Sequence, residues 1–330
     1  MLEKKKIVII GGAGYIGSHL TIDLLSLGYK VIVIDNFIYG NPFPFAHHRL
    51  QKIKADVRNL SEFVEILNKS FAILHLACVS NDPSFDLDPK YSKSVNLDCF
   101  PALIKSVKNF NIDRFIYASS SSVYGIKKEE NVTEDLSLNP LTDYSKFKAE
   151  CEQILMNSNL GGTAKIILRP ATVCGPSLRQ RLDVVVNIFA ANAYFNKKLT
   201  VFGGKQLRPN IHIADMCRAY VHILGQNNTI IDESIYNVGF ENISVSELAR
   251  NTIEIVGHDV EVETSPTSDM RSYKINSDKI TSATGFKPNL TVRDGIYDLV
   301  EAFKLGHCRD AMRNPIYKNI DLLKTYGFGK

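Results

Sequence analysis

The chain has 330 residues, of which 45% are apolar and 22% charged, with a formal net charge of +4 at pH 7. That length exceeds one small core and points to two domains, or one large domain with an elaborated second lobe. The basic residues are scattered rather than gathered in a stripe, which argues against a nucleic-acid partner. No apolar run nears the roughly 18 residues of a membrane span, which argues against a membrane partner.

Six cysteines stand far apart without a CxxC pair. Free thiols in a reducing compartment, and hence a cytoplasmic protein, are the expectation; a disulfide framework or a zinc site is not. The apolar run 7–10 in "MLEKKKIVIIGG" is too short for a signal peptide.

In chain order, "KIVIIGG" reads as a strand and "YIGSHLTIDLLSLG" as a helix. "KVIVIDN" is a strand, and "RLQKIKADVRN" carries another, followed by a helix from Ser61. "FAILHLAC" is a strand, 89–110 mostly helix, and "DRFIYASS" a strand. A helix over 143–156 and the strand "AKIILRPATV" follow. Strands rich in Ile and Val without alternation are buried on both faces, as in a parallel sheet. Strand–helix alternation of this kind predicts an α/β fold with a doubly wound parallel sheet.

After Gly175-Pro176 the rhythm breaks into helical patterns (184–195, 214–224, 245–256, 292–303) mixed with the short strands "LTVFG" and "IYNVG". The expectation is a cofactor domain over 1–176, with chain returning at about 211–239. A smaller mixed α/β substrate lobe would comprise 177–210 and 240–330.

"IVIIGGAGYIGSHL" sets Gly11, Gly12, Gly14 and Gly17 between a strand and a helix. Such a loop brings backbone close to a pyrophosphate, and the helix N-terminus offers unpaired N–H groups to the anion. Tyr15 and Ile16 fall in the same turn. An acidic residue, Asp35, ends the second strand about 20 positions on. Its carboxylate would accept the ribose hydroxyls and repel a 2′-phosphate, so NAD rather than NADP is expected. Asp56 and Val57, after the third strand, sit where adenine would lie.

"DYSKFKAE" places Tyr144 and Lys148 four residues apart on one helix face. A nearby ammonium should lower the phenol's pKa from about 10 toward neutrality and make it a usable base. The run "YASSSSVYG" closes a strand whose C-terminal end points at the ligand crevice, so a hydroxyl there could relay a substrate proton to the tyrosine.

GGAGYIG, Asp35, "HLA", SSxxVYG, YxxxK, "RPATVCGP" and "FGGKQLRPNIHIADMCRA", in this order, resemble the extended short-chain dehydrogenase/reductases that act on nucleotide sugars, the UDP-glucose 4-epimerase-like family. The likeness runs over nearly the whole chain. It implies an extended Rossmann fold, NAD as cofactor, a nucleotide-diphosphate sugar as substrate, and a homodimer formed through sheet-flanking helices. Ser120, Tyr144 and Lys148 fall on the family's catalytic positions. Leu76 and Ala77 fall on cofactor contacts and Asn96 on a supporting position. Pro170 and Val173 match the nicotinamide side, and Asn36 extends the ribose contact.

By the same resemblance, Arg208 falls on the diphosphate arginine and Arg271 on a second one. Arg181 and Asn187 become diphosphate or sugar contacts, and Thr200 and Phe202 would flank the base. Ser80 and Asn81 in "SNDPSF", with Ser121 and Thr172, would line the sugar pocket; Thr172 stands where 4-epimerases of this family often carry Asn. No metal site is expected, His47-His48 reading as a surface loop.

The family's 4,6-dehydratases carry Asp-Glu after the catalytic hydroxyl, and the epimerase/reductases resembling GDP-fucose synthase carry a cysteine there. This chain has Ser121 and Ser122. A hydroxyl near neutral pH does not replace a carboxylate in eliminating water. The expectation is a 4-epimerase working by transient C4 oxidation. The alternatives are a 4-dehydrogenase or 4-ketoreductase, and a non-catalytic NAD-binding protein.

Overall fold

The computed structural model describes residues 5–267 and 272–329. Its strands, in chain order, are β1 (Lys6–Ile10), β2 (Lys30–Asp35), β3 (Leu50–Lys54), β4 (Ala72–His75), β5 (Arg114–Ala118), β6 (Ala164–Pro170), β7 (Thr172–Cys174), β8 (Lys198–Phe202), β9 (Leu207–His212), β10 (Ser234–Val238), β11 (Glu241–Ser244) and β12 (Glu261–Ser265). The helices are α1 (Tyr15–Ser26), α2 (Asp82–Phe85), α3 (Pro89–Lys93), α4 (Phe100–Val107), α5 (Asp143–Met156), α6 (Val185–Asn196), α7 (Ile213–Leu224), α8 (Asn228–Ile231), α9 (Val245–Val256), α10 (Asp278–Thr284), α11 (Val292–Lys304) and α12 (Asn319–Thr325). Among the described residues no helix is long and apolar enough to cross a membrane.

Seven strands form one parallel sheet in the order β10-β6-β5-β4-β1-β2-β3. Its inner strands bury both faces. On β1, Ile7 and Ile9 join the core beneath α1 and α7, while Val8 and Ile10 join the core under α4 and α5. Each side chain so buried contributes roughly 1.5–3 kcal/mol. From β1 the chain winds outward through β2 to β3, then crosses back to β4 on the other side of β1. The order reverses there, and in such sheets the crevice beyond the strand ends at the switch point is where ligands bind.

Three expected elements take a different form. The helix from Ser61 is two 3₁₀ turns, Leu60–Glu62 and Val64–Leu67, hinged at Phe63 (φ −144°), which buries Phe63 and Leu67 under the sheet. The long helix over 89–110 is broken: α3 and α4 flank a π turn, Ser94–Asp98, that carries Asn96 into the interior. "AKIILRPATV" is two strands. Pro170 cannot continue the ladder as a donor, and β7 leaves for a small sheet ordered β11-β9-β7.

The remaining chain builds a second layer. Strands β8 and β12 pair in parallel, and α6, α9 and α11 pack over them around Val186, Leu199, Leu248, Ile296 and Leu299.

Candidate functional site

The loop after β1 shows why its glycines are glycines. Gly11 has φ +84°, and a Cβ there would lie 2.4 Å from the Ala77 nitrogen at the end of β4. A Cβ on Gly17 would strike the Gly11 oxygen at 2.7 Å, so this position sets how closely α1 packs on its own loop. Gly14 meets only the Gly11 oxygen, at 3.3 Å, and otherwise faces the cavity. It caps α1 without any side-chain bond to the first-turn N–H groups, which leaves those donors for an anion.

Two adjoining spaces open over this loop. One, of about 100 Å³, is lined by Gly11, Gly14, Asp35, Asn36, Asp56, Val57, Leu76 and Ala77, with Tyr39 and Leu323. Asp35 accepts from the Ala13 N–H (2.9 Å) and the Phe37 N–H (2.8 Å). Burial pushes its carboxyl above the usual range, and those N–H groups and the Arg179 guanidinium oppose the shift. Asp56 is held by Arg58 at 2.9 and 2.6 Å, which keeps its carboxyl below the ordinary range. An uncapped helix start, an open glycine cradle and a half-buried carboxylate at the second strand's end fit an adenine dinucleotide.

The second space, of about 480 Å³, adjoins the first at Gly11, Gly14, Tyr39, Leu76 and Cys78. Ser120, Tyr144 and Lys148 all line it, with Tyr15, Ile16, Gly17, Ser80, Asn81, Ser121, Pro170, Thr172, Val173, Arg181 and Arg208. The four consecutive serines divide their work. Ser119 donates to Glu152, and Ser121 lies 3.2 Å from the Tyr273 hydroxyl. Ser122 lies 2.9 Å from Ser120 and accepts from Ser145 at 2.9 Å. Ser120 is hydrogen-bonded to Tyr144.

Thr142 caps α5 and so fixes where Tyr144 and Lys148 emerge. Lys148 donates to the Ala118 carbonyl at 2.6 Å, and its Nζ is 5.9 Å from the Tyr144 ring centre. The expected lowering of the phenol is not what this arrangement gives. Burial pushes Tyr144 well above its ordinary range, Cys78 adds to that, and Arg181 and the Ser120 hydrogen bond oppose it. Turned toward a backbone carbonyl, Lys148 does not offset the desolvation.

Asn96 takes the supporting position expected of it, and Asn187, expected to touch the substrate, is a support as well. Asn96 is buried away from the cavity and clamps the Val79 backbone, accepting from its N–H at 2.8 Å and donating to its carbonyl at 3.0 Å. Asn187 is wholly buried; it accepts from the Gly175 N–H and donates to the Tyr15 hydroxyl and the Arg181 carbonyl. Thr200 and Phe202 lie on β8 outside both spaces, Phe202 being 56% exposed. Arg271 lies outside the described residues. His47 and His48 stack on each other at 4.8 Å, away from the cleft. Among the described residues, His19, Asp23 and Cys217 bring donor atoms within 4.8 Å of one another, also away from it.

Sequence reasoning missed Tyr39, Cys78, Arg179, Asp183, Tyr273 and Asn319, all of which line the larger cavity, while Asp82 lines it from within the expected "SNDPSF" stretch. "RQRLD" was the one available signal for Arg179 and Asp183. Arg181 pairs with Asp183 at 2.5 Å and donates to Ser80 at 3.0 Å. Asp82 accepts from Thr142 at 2.6 Å.

The model of the NAD dependent epimerase/dehydratase family matches residues 7–239. A putative UDP-glucose 4-epimerase of Methanocaldococcus jannaschii is 28% identical over 311 residues, 90% of this chain and 98% of that protein. UDP-glucuronic acid decarboxylase 1 of Arabidopsis thaliana is 28% identical over 92% of this chain and 70% of its own. UDP-glucuronic acid 4-epimerase from Bacillus cereus, solved with UDP-glucuronic acid and NAD, superposes with a TM-score of 0.80 at 28% identity, covering 90% of this chain and 99% of that one.

Proposed function

Because this chain belongs to the NAD dependent epimerase/dehydratase family, and is thereby an NAD-dependent enzyme that modifies nucleotide sugars, we infer that its reaction is 4-epimerisation of a nucleotide-diphosphate sugar. The observation that carries this reading is the make-up of the reaction cavity. Ser120, Tyr144 and Lys148 converge there, and the two positions after Ser120 are hydroxyls already bonded to Tyr273, Ser120 and Ser145. Asp82 and Asp183, the carboxylates lining the cavity among the described residues, are engaged by Thr142 and Arg181. With NAD as the hydride acceptor, an oxidation at C4 needs no side chains beyond the first trio; removal of water needs an acid and a base besides.

Tyr144 takes the proton of the sugar's C4 hydroxyl as a phenolate, and Ser120 hydrogen-bonds that oxygen as it becomes a carbonyl. NAD held over the glycine loop would supply the acceptor for the C4 hydride, its return to the opposite face of the keto sugar, and positive charge that favours the phenolate. Lys148 adds positive charge from beneath and offers donors to a ribose hydroxyl. Arg181 and Arg208 face the cavity with charge suited to a diphosphate or to polar sugar substituents.

The division of labour would follow the chain: 1–176 and 211–239 for the cofactor, 177–210 and 240–330 for the sugar nucleotide, save the C-terminal segment taken up below. A homodimer through helices that flank the sheet, and a cytoplasmic setting suited to six unpaired cysteines, complete the proposal.

Incubation with NAD and a panel of nucleotide hexoses and heptoses, read by mass and NMR, tests it. A new isomer of unchanged mass without net NADH is the expected result. A product lighter by two hydrogens with NADH accumulating would establish the runner-up, a 4-dehydrogenase.

A further inference from the structure

The C-terminal segment reaches back across the cofactor half of the cleft. It is tied down where the Leu182 N–H donates to the Tyr317 carbonyl at 2.7 Å. Helix α12 then lays Leu323 into the smaller pocket beside Asp35 and Asp56, and Asn319 into the larger cavity. Beyond it the Phe328 ring meets Tyr91, another wall of the smaller pocket, at 4.8 Å.

Asn319 turns its side-chain amide and its backbone N–H to residues of the cleft. Its Oδ1 accepts from Arg179 Nη2 at 2.5 Å, its Nδ2 donates to Ser80 at 3.1 Å, and its backbone N–H donates to Asp183 at 2.8 Å. Arg179 is 5% exposed, and its guanidinium lies 4.3 Å from the Tyr39 ring centre. Its backbone N–H bonds Ser18 in α1 at 3.1 Å, which brings it beside the helix that starts at the glycine loop. Its Nε is buried without a partner. Burial and the neighbouring Arg181 pull this guanidinium down to about 10, the mark of a cation short of counter-charge. It lines the same cavity as Gly11 and Gly14, where the loop and the α1 N-terminus are built for a pyrophosphate.

We propose that residues 315–329 form the closing wall of the NAD cleft and that Arg179, held by Asn319 and Tyr39, is the cation that faces the cofactor's pyrophosphate, so that NAD stays bound between turnovers and exchanges only when this segment lifts. The proposal rests on NAD as cofactor and not on which sugar is turned over. A held cofactor suits an enzyme that returns its hydride within one turnover, and it hinders one that must release NADH.

The test uses the full chain loaded with NADH and no sugar, chased with excess NAD while NADH fluorescence reports release. Asn319→Ala, Leu323→Ala and Arg179→Gln should each raise the release rate about tenfold to a hundredfold, the range for losing a hydrogen bond to a charged group or a buried apolar wall. Arg179→Gln should also flatten the salt dependence of NADH affinity, whereas Arg179→Lys should keep it. Hydrogen exchange across 315–329 should slow when NADH binds. Wild-type release rates in both Asn319→Ala and Leu323→Ala, or exchange in 315–329 unmoved by NADH, would overturn the proposal. Failure of the wild-type chain to bind NADH at all would overturn its premise. None of these readouts depends on the sugar reaction, so they stand apart from a failure of the epimerase reading.

Discussion

Glu152 and Arg169 form a buried ion pair directly beneath the reactive strand end, with side chains 4% and 3% exposed and Nη2 to Oε2 at 2.6 Å. Arg169 Nε gives a second bond to the same carboxylate at 3.0 Å, which makes the pair a two-pronged one. Ser119 donates to Glu152 from above, and Arg169 reaches the Tyr124 hydroxyl, which donates to Asn237 on β10. The network locks the backbone that places Ser120 and receives Lys148 at Ala118.

Breaking one side of this pair should therefore cost fold stability before it costs chemistry. Glu152→Ala leaves a buried guanidinium without its counter-charge, and a loss of about 3–5 kcal/mol is expected. Urea denaturation checks it. A double variant, Glu152→Leu with Arg169→Met, should recover much of that loss, because no buried charge remains unpaired.

Tyr144→Phe removes the proton acceptor and keeps the ring. Turnover should fall about 10²–10⁴-fold, the usual contribution of a placed acid–base group, while NAD binding persists. Steady-state rates and cofactor content measured on the same sample separate the two effects. Unchanged turnover on the true substrate would sink the mechanism.

The phenol's own titration gives a sharper check. Burial holds Tyr144 above its ordinary range in the cofactor-free chain, so its phenolate should form only at high pH. The positive ring of NAD should bring that titration down in pH, and kcat/KM of the loaded enzyme should rise with pH until the group is deprotonated. The chain has no tryptophan, which leaves the phenolate band open to ultraviolet difference titration. The NAD-dependent component should vanish in Tyr144→Phe.

Asp35 should decide between NAD and NADP. Asp35→Ser removes the carboxylate that would repel a 2′-phosphate, so NADPH affinity should rise. NADH affinity should fall about tenfold to a hundredfold, as charge-assisted hydrogen bonds are lost. Fluorescence titration with each reduced cofactor measures both.

His75 should make the fold acid-sensitive. It is 2% exposed between Phe100 and Tyr117, its Nδ1 has no partner, and burial lowers its pKa to about 3. The unfolded chain, with an ordinary histidine near 6.5, binds a proton that the folded chain refuses. Stability is thus complete above that value and falls by about 1.4 kcal/mol per pH unit on acidification toward the folded pKa. His75→Phe should flatten this part of the profile in urea denaturation at pH 7, 6 and 5.

The sequence by itself determined the glycine loop, Asp35, the serine run and the Tyr144–Lys148 pair. Each is a local pattern: a turn that admits no Cβ, a strand end, a helix spacing of four. The same patterns carried the parallel sheet, since unalternating Ile and Val runs are buried on both faces. Only the tertiary structure decided which polar residues touch the cleft and which hold it up. Asn96 turned inward because a π turn breaks its helix, and Asn187 became a clamp between α1, Gly175 and Arg181. Asn319 reaches Ser80 across 239 positions of chain, and no local spacing records such a contact. Tyr144 makes the same point for energetics: its neighbours were legible in "DYSKFKAE", but the burial that outweighs them depends on walls brought from distant stretches of the chain.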